Sequence, residues 1–200
     1  MINQNFVIVG AIIAAIGSLS YLIDTVKGRV KPNRISFLLW SLAPLIAFFA
    51  EIKQGVGIQA LMTFIVGILP LTIFIASFVN KKAVWNLTGF DLICGALSII
   101  GLVFWYITKS GNIAIIFSIV ADALAAVPTV VKSFNYPETE SAWPYFASTI
   151  SAILTLLTVT VWNVANIAFP LYIVLITLLI FSLVQFKLGK KIRFMFGLTA

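Results

Sequence analysis

The stretch IAIIFSIVADALAAVPTVV, residues 113–131, decides the fold, because it is long, apolar and interrupted by a single charge. As a helix it is about as long as the hydrocarbon core of a bilayer is thick. Asp122 lies near its middle, and the nearest basic residues are Lys109 and Lys132. An ionisable side chain at that depth is costly and usually marks a path for a solute or a proton. The segment therefore predicts a membrane helix with a functional acid.

The rest of the chain has the composition of a membrane protein. Of its 200 residues 62% are hydrophobic and only 10% are charged, far from the balance of a soluble domain. At about 20 residues per crossing, such a chain holds roughly seven helices and no large domain outside the membrane. The net charge of +7 lies in short connections between apolar runs, as in membrane proteins. We therefore expect no nucleic-acid partner.

Apolar runs bounded by charge, glycine or asparagine predict seven transmembrane helices. The second run is the shortest, and we expect Arg34 and Glu51 at its ends to extend outward. No basic segment or cleavage site accompanies the first run, so we expect it to be retained. The predicted limits are 6–26, 35–50, 57–79, 87–107, 112–133, 142–161 and 164–186.

The basic residues divide unequally between the two sides of these helices. Only Lys53 and Lys109 fall on one side, and eleven of the 13 fall on the other. Cytoplasmic loops carry an excess of Lys and Arg, so we expect a multi-pass protein of the cell (inner) membrane. Its N-terminus would lie outside and its tail, 187–200, in the cytoplasm. The eleven are Lys27, Arg29, Lys31, Arg34, Lys81, Lys82, Lys132, Lys187, Lys190, Lys191 and Arg193.

A shift of 105 residues aligns the first loop on the basic side with the third. It predicts two three-helix units, 1–86 and 111–186, joined by a linker helix, 87–110. A single linking helix leaves both units in the same orientation, and such pairs enclose a cavity near the middle of the membrane. The shift superposes Val26 on Val131, Lys27 on Lys132, Pro32 on Pro137, Ser36 on Ser141 and Trp40 on Tyr145.

This layout resembles the SWEET and PQ-loop superfamily of membrane proteins, which has three helices, a linker and three helices. The run Pro128-Thr129-Val130-Val131-Lys132, followed by Ser141, resembles the PQ-loop motif with threonine in place of glutamine. The first copy departs further, with Ile23-Asp24 at that position and Pro32-Asn33-Arg34 in the loop. The Lys-Pro-Asn-Arg and Pro-Glu-Thr-Glu-Ser loops are similar to those of uncharacterised bacterial members.

The resemblance implies several functions, because the superfamily includes sugar uniporters, proton-coupled amino-acid exporters and a sorting receptor. Its sugar sites use an asparagine on the third helix of each unit, where this chain has Thr63 and Thr177. Proton-coupled members use an intramembrane acid, and Asp122 is one. The comparison therefore disfavours sugars.

On a helix, Asp122 shares a face with Ser118 one turn before it and with Thr129 after it, which favours a polar groove. Pro128 removes a backbone donor and leaves the Leu124 carbonyl free. This face suits a cationic or polar solute, or a proton relay.

The alternative is that Asp122 is a protonated structural residue. Its partner would then be a hydroxyl of the first helix, from Ser18, Ser20 or Tyr21. Burial favours the neutral form of a carboxyl group, so such a role would cost little.

Trp40 and its counterpart Tyr145, with Thr149 beyond it, are predicted to form facing walls of a solute cavity. Ordinary helix packing explains these aromatic residues equally well. Prolines inside the predicted helices are candidate hinges for the motion of one unit against the other, although membrane helices tolerate proline. These are Pro44, Pro70 and Pro128.

The other acids suggest structural or solvated positions. Asp24 is expected to pair with Lys27 near the inner end of the first helix. Asp91 falls in the first turns of the fourth helix, where a negative charge favours the helix dipole. Glu138 and Glu140 are expected to be solvated in an inner loop.

Several chemistries are excluded by what the sequence lacks. It contains no histidine and one cysteine, Cys94, which excludes a Cys/His metal cluster and a histidine-dependent triad. No phosphate-binding glycine motif occurs, and the seventh helix has no lysine before Lys187 for a retinal Schiff base. We therefore expect no enzyme, no cofactor and no metal.

The sequence predicts a secondary transporter or facilitator that moves a small polar solute by alternating access, with proton coupling as an option. Its partners would be that solute and membrane lipid, and a homo-oligomer is left open. The rival hypothesis is a membrane receptor or partner-binding scaffold without transport. Such a scaffold would use the basic loop Lys27–Arg34 to dock a protein or anionic lipid.

Overall fold

The computed structural model describes residues 2–108 and 111–196, and every regular element in these ranges is helical. The predicted all-helical class is therefore confirmed. One turn of 3-10 helix, Pro137–Thr139, precedes the sixth α-helix. The α-helices are α1 (Phe6–Val26), α2 (Arg34–Lys53), α3 (Ala60–Ala76), α4 (Gly89–Thr108), α5 (Gly111–Asn135), α6 (Trp143–Thr158), α7 (Val164–Gln185) and α8 (Leu188–Met195).

Several helices have the length and the apolar composition of membrane-spanning helices. Within the described ranges, α1, α2, α7 and residues Ile115–Asn135 of α5 are long and apolar enough to cross a bilayer. Large apolar side chains also cover the outside of the bundle: Ile12, Ile16 and Leu19 of α1 are each more than half exposed. Exposure on this scale is unfavourable in water and favourable against lipid. Shorter apolar helical segments are Ala60–Ala76, Gly89–Ile100 and Trp143–Thr158.

The second helix differs from its prediction. It extends to Lys53 and has 20 residues, whereas α6, with 16, is the shortest of the seven apolar helices. Glu51 therefore lies inside α2, only 1% exposed, and accepts a hydrogen bond from the hydroxyl of Thr63 at 3.1 Å. The expectation that this side chain extends outward is wrong. Arg34, at the other end, donates to the carbonyl oxygen of Ser77 at 2.7 Å.

Side-chain caps set several helix boundaries. The carboxamide oxygen of Asn33 accepts from the backbone N–H of Ser36 and thereby caps α2. Thr88 and Asp91 form a reciprocal capping box at α4, with Asp91 in the first turn as predicted. Asp91 is also buried and accepts from the amide of Asn33 at 3.0 Å, so it joins the starts of α2 and α4.

The helices pack in two sets of three with the same internal order. In the first set α3 packs against both α1 and α2, and in the second α7 packs against both α5 and α6. The sets meet reciprocally, because α1 packs on α6 and α2 packs on α5. The remaining apolar helix, α4, lies on the outside against α5 and α2.

The basic loops meet at one end of the bundle, hereafter the basic end. The ammonium group of Lys132 donates to the carbonyl oxygen of Lys31, and Arg193 of α8 donates to Asn135. The part of the predicted tail that the structure describes, 187–196, contains α8, which packs against α5. Residues 197–200 lie outside the described ranges, as does Lys109.

Small residues allow α1 and α6 to approach closely. Gly10, Ala14 and Gly17 form a stripe on α1 at helical spacing. A β-carbon added at Gly17 would overlap the Cβ of Ala147 on α6, and one added at Gly10 would lie 3.1 Å from the backbone oxygen of Ser151. Such stripes are the usual means of packing helices in membranes.

Replacing Gly17 by alanine should therefore destabilise the protein by about 1–3 kcal/mol, the usual cost of overpacking. The measurement is the thermal unfolding midpoint of purified protein in detergent. Gly89→Ala is the matched control, because a β-carbon there meets no atom within 4 Å. Equal midpoints for the two variants would contradict the close packing of α1 on α6.

Candidate functional site

A cavity of about 80 Å³ lies between the two sets of helices, with lining residues from α1, α2, α3, α5, α6 and α7. A single water needs only about 10–15 Å³ measured in this way, so the cavity has room for several waters or a small solute. Its wall is mostly apolar, and polar groups come from few positions. Those with a hydroxyl on an aliphatic side chain are Ser18, Ser148 and Thr177.

Asp122 is part of this wall, and its carboxyl group is only half satisfied. The side chain is buried, and Oδ2 accepts a hydrogen bond of 2.6 Å from the hydroxyl of Tyr172 on α7. In the part of the chain that the structure describes, Oδ1 has no hydrogen-bond partner. The expected partners on α1 are therefore wrong: Ser18 lines the cavity, and Tyr21 binds another acid. Buried polar atoms are normally paired; Oε2 of Glu51 also has no partner among the described residues, but of these two acids only Asp122 lines the cavity.

The two aromatic residues predicted to face each other do so. The rings of Trp40 and Tyr145 meet edge to face with centroids 6.5 Å apart, and both line the cavity. The indole N–H of Trp40 donates to the backbone carbonyl of Asp122 at 3.3 Å. Phe37 and Tyr21 continue the row, each centroid 5.3 Å from the next. Four aromatic residues therefore form one side of the cavity.

The remaining predicted site residues lie behind the wall. Ser118 is buried one turn before Asp122, and its hydroxyl has no partner among the described residues. Thr149 donates to the carbonyl oxygen of Tyr145 and lies 2.8 Å from the hydroxyl of Thr177. Thr149 therefore orients Thr177, which does line the cavity.

The predicted hinge prolines lie inside the helices that enclose the cavity. Pro44 is buried in α2, Pro70 lines the cavity from α3, and Pro128 is buried in α5. Pro170 of α7 is a fourth internal proline that the sequence analysis did not single out. Each removes one backbone hydrogen bond and weakens its helix locally.

A second buried acid lies next to the cavity, where two tyrosines of the cavity wall bind it. Glu140 accepts hydrogen bonds from the hydroxyls of Tyr21 at 2.8 Å and Tyr145 at 3.0 Å. Its other oxygen forms an ion pair with Lys132, whose ammonium group lies 4.9 Å from the ring centroid of Trp85. The side chains of Lys132 and Glu140 are 1% and 0% exposed. We call Tyr21, Lys132, Glu140 and Tyr145 the gate cluster.

The gate cluster corrects the expectation that Glu140 is solvated. Glu138, two residues earlier, is exposed and forms an ion pair with Lys190 at 2.8 Å, and that hydrogen bond lowers the pKa of its carboxyl group. Asp24 is also paired differently from the prediction, since its carboxylate contacts Arg29 at 3.3 Å rather than Lys27.

The sequence alone does not identify Glu140 and Tyr172 as residues of the site, because their hydrogen-bond partners are distant in the chain. Glu140 and Tyr21 are 119 residues apart, and Tyr172 and Asp122 are 50 apart. A tyrosine within an apolar helix does need a partner for its hydroxyl. That requirement was a usable signal for Tyr172, although it does not identify the partner.

Comparison with known proteins adds nothing to this geometry, since no family model, curated protein or solved structure matches the chain. Over the ranges that the structure describes, no three Cys, Asp or Glu side chains are grouped to hold a metal ion. The functional interpretation of the site therefore depends on the geometry of its residues alone.

Glu140→Gln should cost about 3–5 kcal/mol of stability, because it leaves the buried Lys132 ammonium without its counter-charge. Unfolding in detergent measures this loss. Glu138→Gln is the matched control, and removing that exposed ion pair should cost at most about 1 kcal/mol. Lys132→Met combined with Glu140→Gln should restore much of the stability. Equal losses for the two single glutamine variants would refute the buried pair.

Proposed function

We propose that this protein is a secondary transporter or facilitator that carries a small polar solute across the cell (inner) membrane by alternating access. The observation that carries the proposal is Asp122, a buried acid in the wall of a central cavity, with one carboxyl oxygen unpaired. Burying an acid in such a place is costly. A solute or proton that binds there accounts for its presence.

The proposal includes seven transmembrane helices arranged as two parallel three-helix units. The shared packing order and the reciprocal contacts of α1 with α6 and α2 with α5 support this arrangement. So does the contact of Trp40 with Tyr145, which the 105-residue shift superposes. In a two-fold arrangement, equivalent residues meet only near the axis. The cavity then lies on the axis, as in other transporters built from repeats.

The basic end would face the cytoplasm. Eleven of the 13 basic residues belong to the loops and helix ends gathered there, and the positive-inside rule assigns such an end to the cytoplasmic side. The N-terminus would then lie outside. In this orientation the gate cluster closes the cytoplasmic side of the cavity.

Alternating access would require the gate cluster to open while the other end closes. Tyr21 and Tyr145 would separate from Glu140 as α1 and α6 move apart, with bending at Pro44, Pro70 and Pro128. Asp122 would hold the solute while the cavity is closed. If a proton binds Asp122 instead, the loss of charge would release a cationic or polar solute, and transport would be proton-coupled.

Asp122→Asn should reduce solute flux by about tenfold or more, because a hydrogen bond to a charged group is worth about 1.5–3 kcal/mol. A thermal-shift screen of amino acids, amines, sugars and vitamins at two pH values would select the solute. Initial uptake into proteoliposomes then measures the flux. Glu138→Gln, which removes an exposed acid, should leave it unchanged. Equal flux through the wild type and Asp122→Asn would refute the role of this residue.

The rival scaffold hypothesis is tested by measuring vesicle or partner binding and solute flux for a variant of the basic loop. Lys27, Arg29 and Lys31 are exposed in the basic loop. If the protein is a scaffold, replacing these three with glutamine should abolish binding to vesicles containing anionic lipid or to a protein partner, and no solute should show flux. Flux that survives the triple replacement would favour the transporter.

Opening of the gate cluster is testable with a cysteine in the cavity. Cys94 is the chain's only cysteine, so Cys94→Ser provides a background for Ser148→Cys, a position that lines the cavity. A membrane-impermeant maleimide applied from the basic side should label it slowly. Adding Glu140→Gln should raise the labelling rate by about tenfold, the effect of 1.4 kcal/mol on the open population. Adding Glu138→Gln should not, and equal rates for both would refute the gate.

A further inference from the structure

The cavity has one acidic side chain and, among the described residues that line it, no basic one. Asp122 is the only charged residue among the described residues that line it. The nearest buried cation identified at the basic end, Lys132, is already paired with Glu140 and lies beyond Tyr21 and Tyr145. A ligand that brings a positive charge would therefore complete the electrostatics of the cavity.

We propose that the cavity binds a small monovalent organic cation, namely an ammonium group on a compact apolar body. This inference rests on the proposed transport function and specifies its substrate class. The ammonium group would bind Asp122, and the apolar body would lie against the aliphatic side of the cavity.

The Asp122 carboxyl group suits an ammonium ligand. Tyr172 occupies Oδ2, whereas Oδ1 has no partner among the described residues. An ammonium N–H donated to a carboxylate is among the strongest hydrogen bonds available to a ligand. An ammonium group on the ligand would therefore supply the hydrogen-bond donor that Oδ1 of Asp122 lacks among the described residues.

The aromatic side of the cavity also favours a cation. Tyr21, Phe37, Trp40 and Tyr145 all belong to the lining. Cations are attracted to the faces of aromatic rings, to tryptophan most strongly, and more so where water is excluded. Aromatic residues around one acid are a recurrent way of recognising ammonium ligands.

Other solute classes fit less well. An amino acid or an organic acid would bring a carboxylate that has no cation to pair with in the cavity. A sugar would bury several hydroxyls against a wall that includes Ile65, Ile73, Ile173, Ile176 and Ile180. Unpaired polar groups in such surroundings cost several kcal/mol. The wall therefore selects against both classes.

The volume limits the size of the ligand. The cavity measures about 80 Å³, roughly half of an apolar cavity of about 150 Å³ that admits benzene. A body of a few carbon atoms is therefore expected. Propylamine, with an amine pKa near that of lysine, is charged at pH 7 and is a suitable probe, as is tetramethylammonium.

The test is binding of five probes, tetramethylammonium and four three-carbon compounds, to the purified full-length protein in detergent, followed by thermal shift and titration calorimetry at pH 7. Propylamine is the cation, 1-propanol its neutral counterpart, propionate the anion and alanine the zwitterion. We expect propylamine and tetramethylammonium to stabilise the protein and the other three to have no effect. Equal stabilisation by 1-propanol or alanine would overturn the proposal.

Two sets of variants locate the binding. Asp122→Asn should weaken propylamine binding by about tenfold or more, whereas Glu138→Gln should not change it. Trp40→Phe and Trp40→Leu both lose the indole N–H, but only the first keeps an aromatic ring. Tetramethylammonium should bind Trp40→Leu about fivefold more weakly than Trp40→Phe. If Asp122→Asn does not fold, the tryptophan pair still decides, and equal affinities there would overturn the aromatic contact.

Flux separates this inference from the proposed function. Uptake of radiolabelled propylamine into proteoliposomes would support both. Amine binding without flux of any solute would refute transport and leave the cation site standing. Flux of another solute class without amine binding would refute the cation site and leave transport standing.

Discussion

The structure depends on how buried carboxyl groups are accommodated in an apolar bundle, above all Asp122 and Glu140 at the cavity, in addition to Glu51 and Asp91. Glu140 is completely satisfied, because a lysine and two tyrosine hydroxyls share its oxygens. Asp122 is satisfied on one oxygen only, by Tyr172. Both are buried to a similar degree, so burial does not distinguish them. What distinguishes them is the missing partner, and leaving a buried polar atom unpaired is costly. The proposed ligand would supply that partner to Asp122, which unlike the half-paired Glu51 lines the cavity.

The two acids are connected through the aromatic side chains of the cavity. Tyr21 and Tyr145 line the cavity with their rings and bind Glu140 with their hydroxyls. They come from α1 and α6, which approach closely because Gly17 faces Ala147. A change in the separation of these helices therefore acts on both the cavity and the ion pair. In the proposed transport cycle, this shared use would couple the solute in the cavity to the gate cluster at the basic end.

Apolar runs in the sequence predicted where the helices form. The exact helix ends depend on local caps, and the burial of individual polar side chains depends on contacts between residues distant in the chain. The fold class, the position of every apolar helix and the meeting of Trp40 with Tyr145 followed from sequence. The end of α2 did not, and Glu51 was consequently placed at an interface instead of beside Thr63. Glu140 was misjudged because polar residues in loops are usually solvated. Its burial depends on α1, whose contact with this loop has no local signal in the chain.

The proposed repeat also explains why the cavity carries one charge rather than two. The 105-residue shift places Gly17 opposite Asp122 and Ile35 opposite Glu140. In the first unit Gly17 serves the close packing of α1 on α6, so that position has no room for an acid, and Ile35 packs against Gly95 of α4 as an apolar side chain. The units would thus share their packing order but not their chemistry. Among the described lining residues the one acid, Asp122, therefore belongs to the second unit, and a single cation would be enough to pair with it.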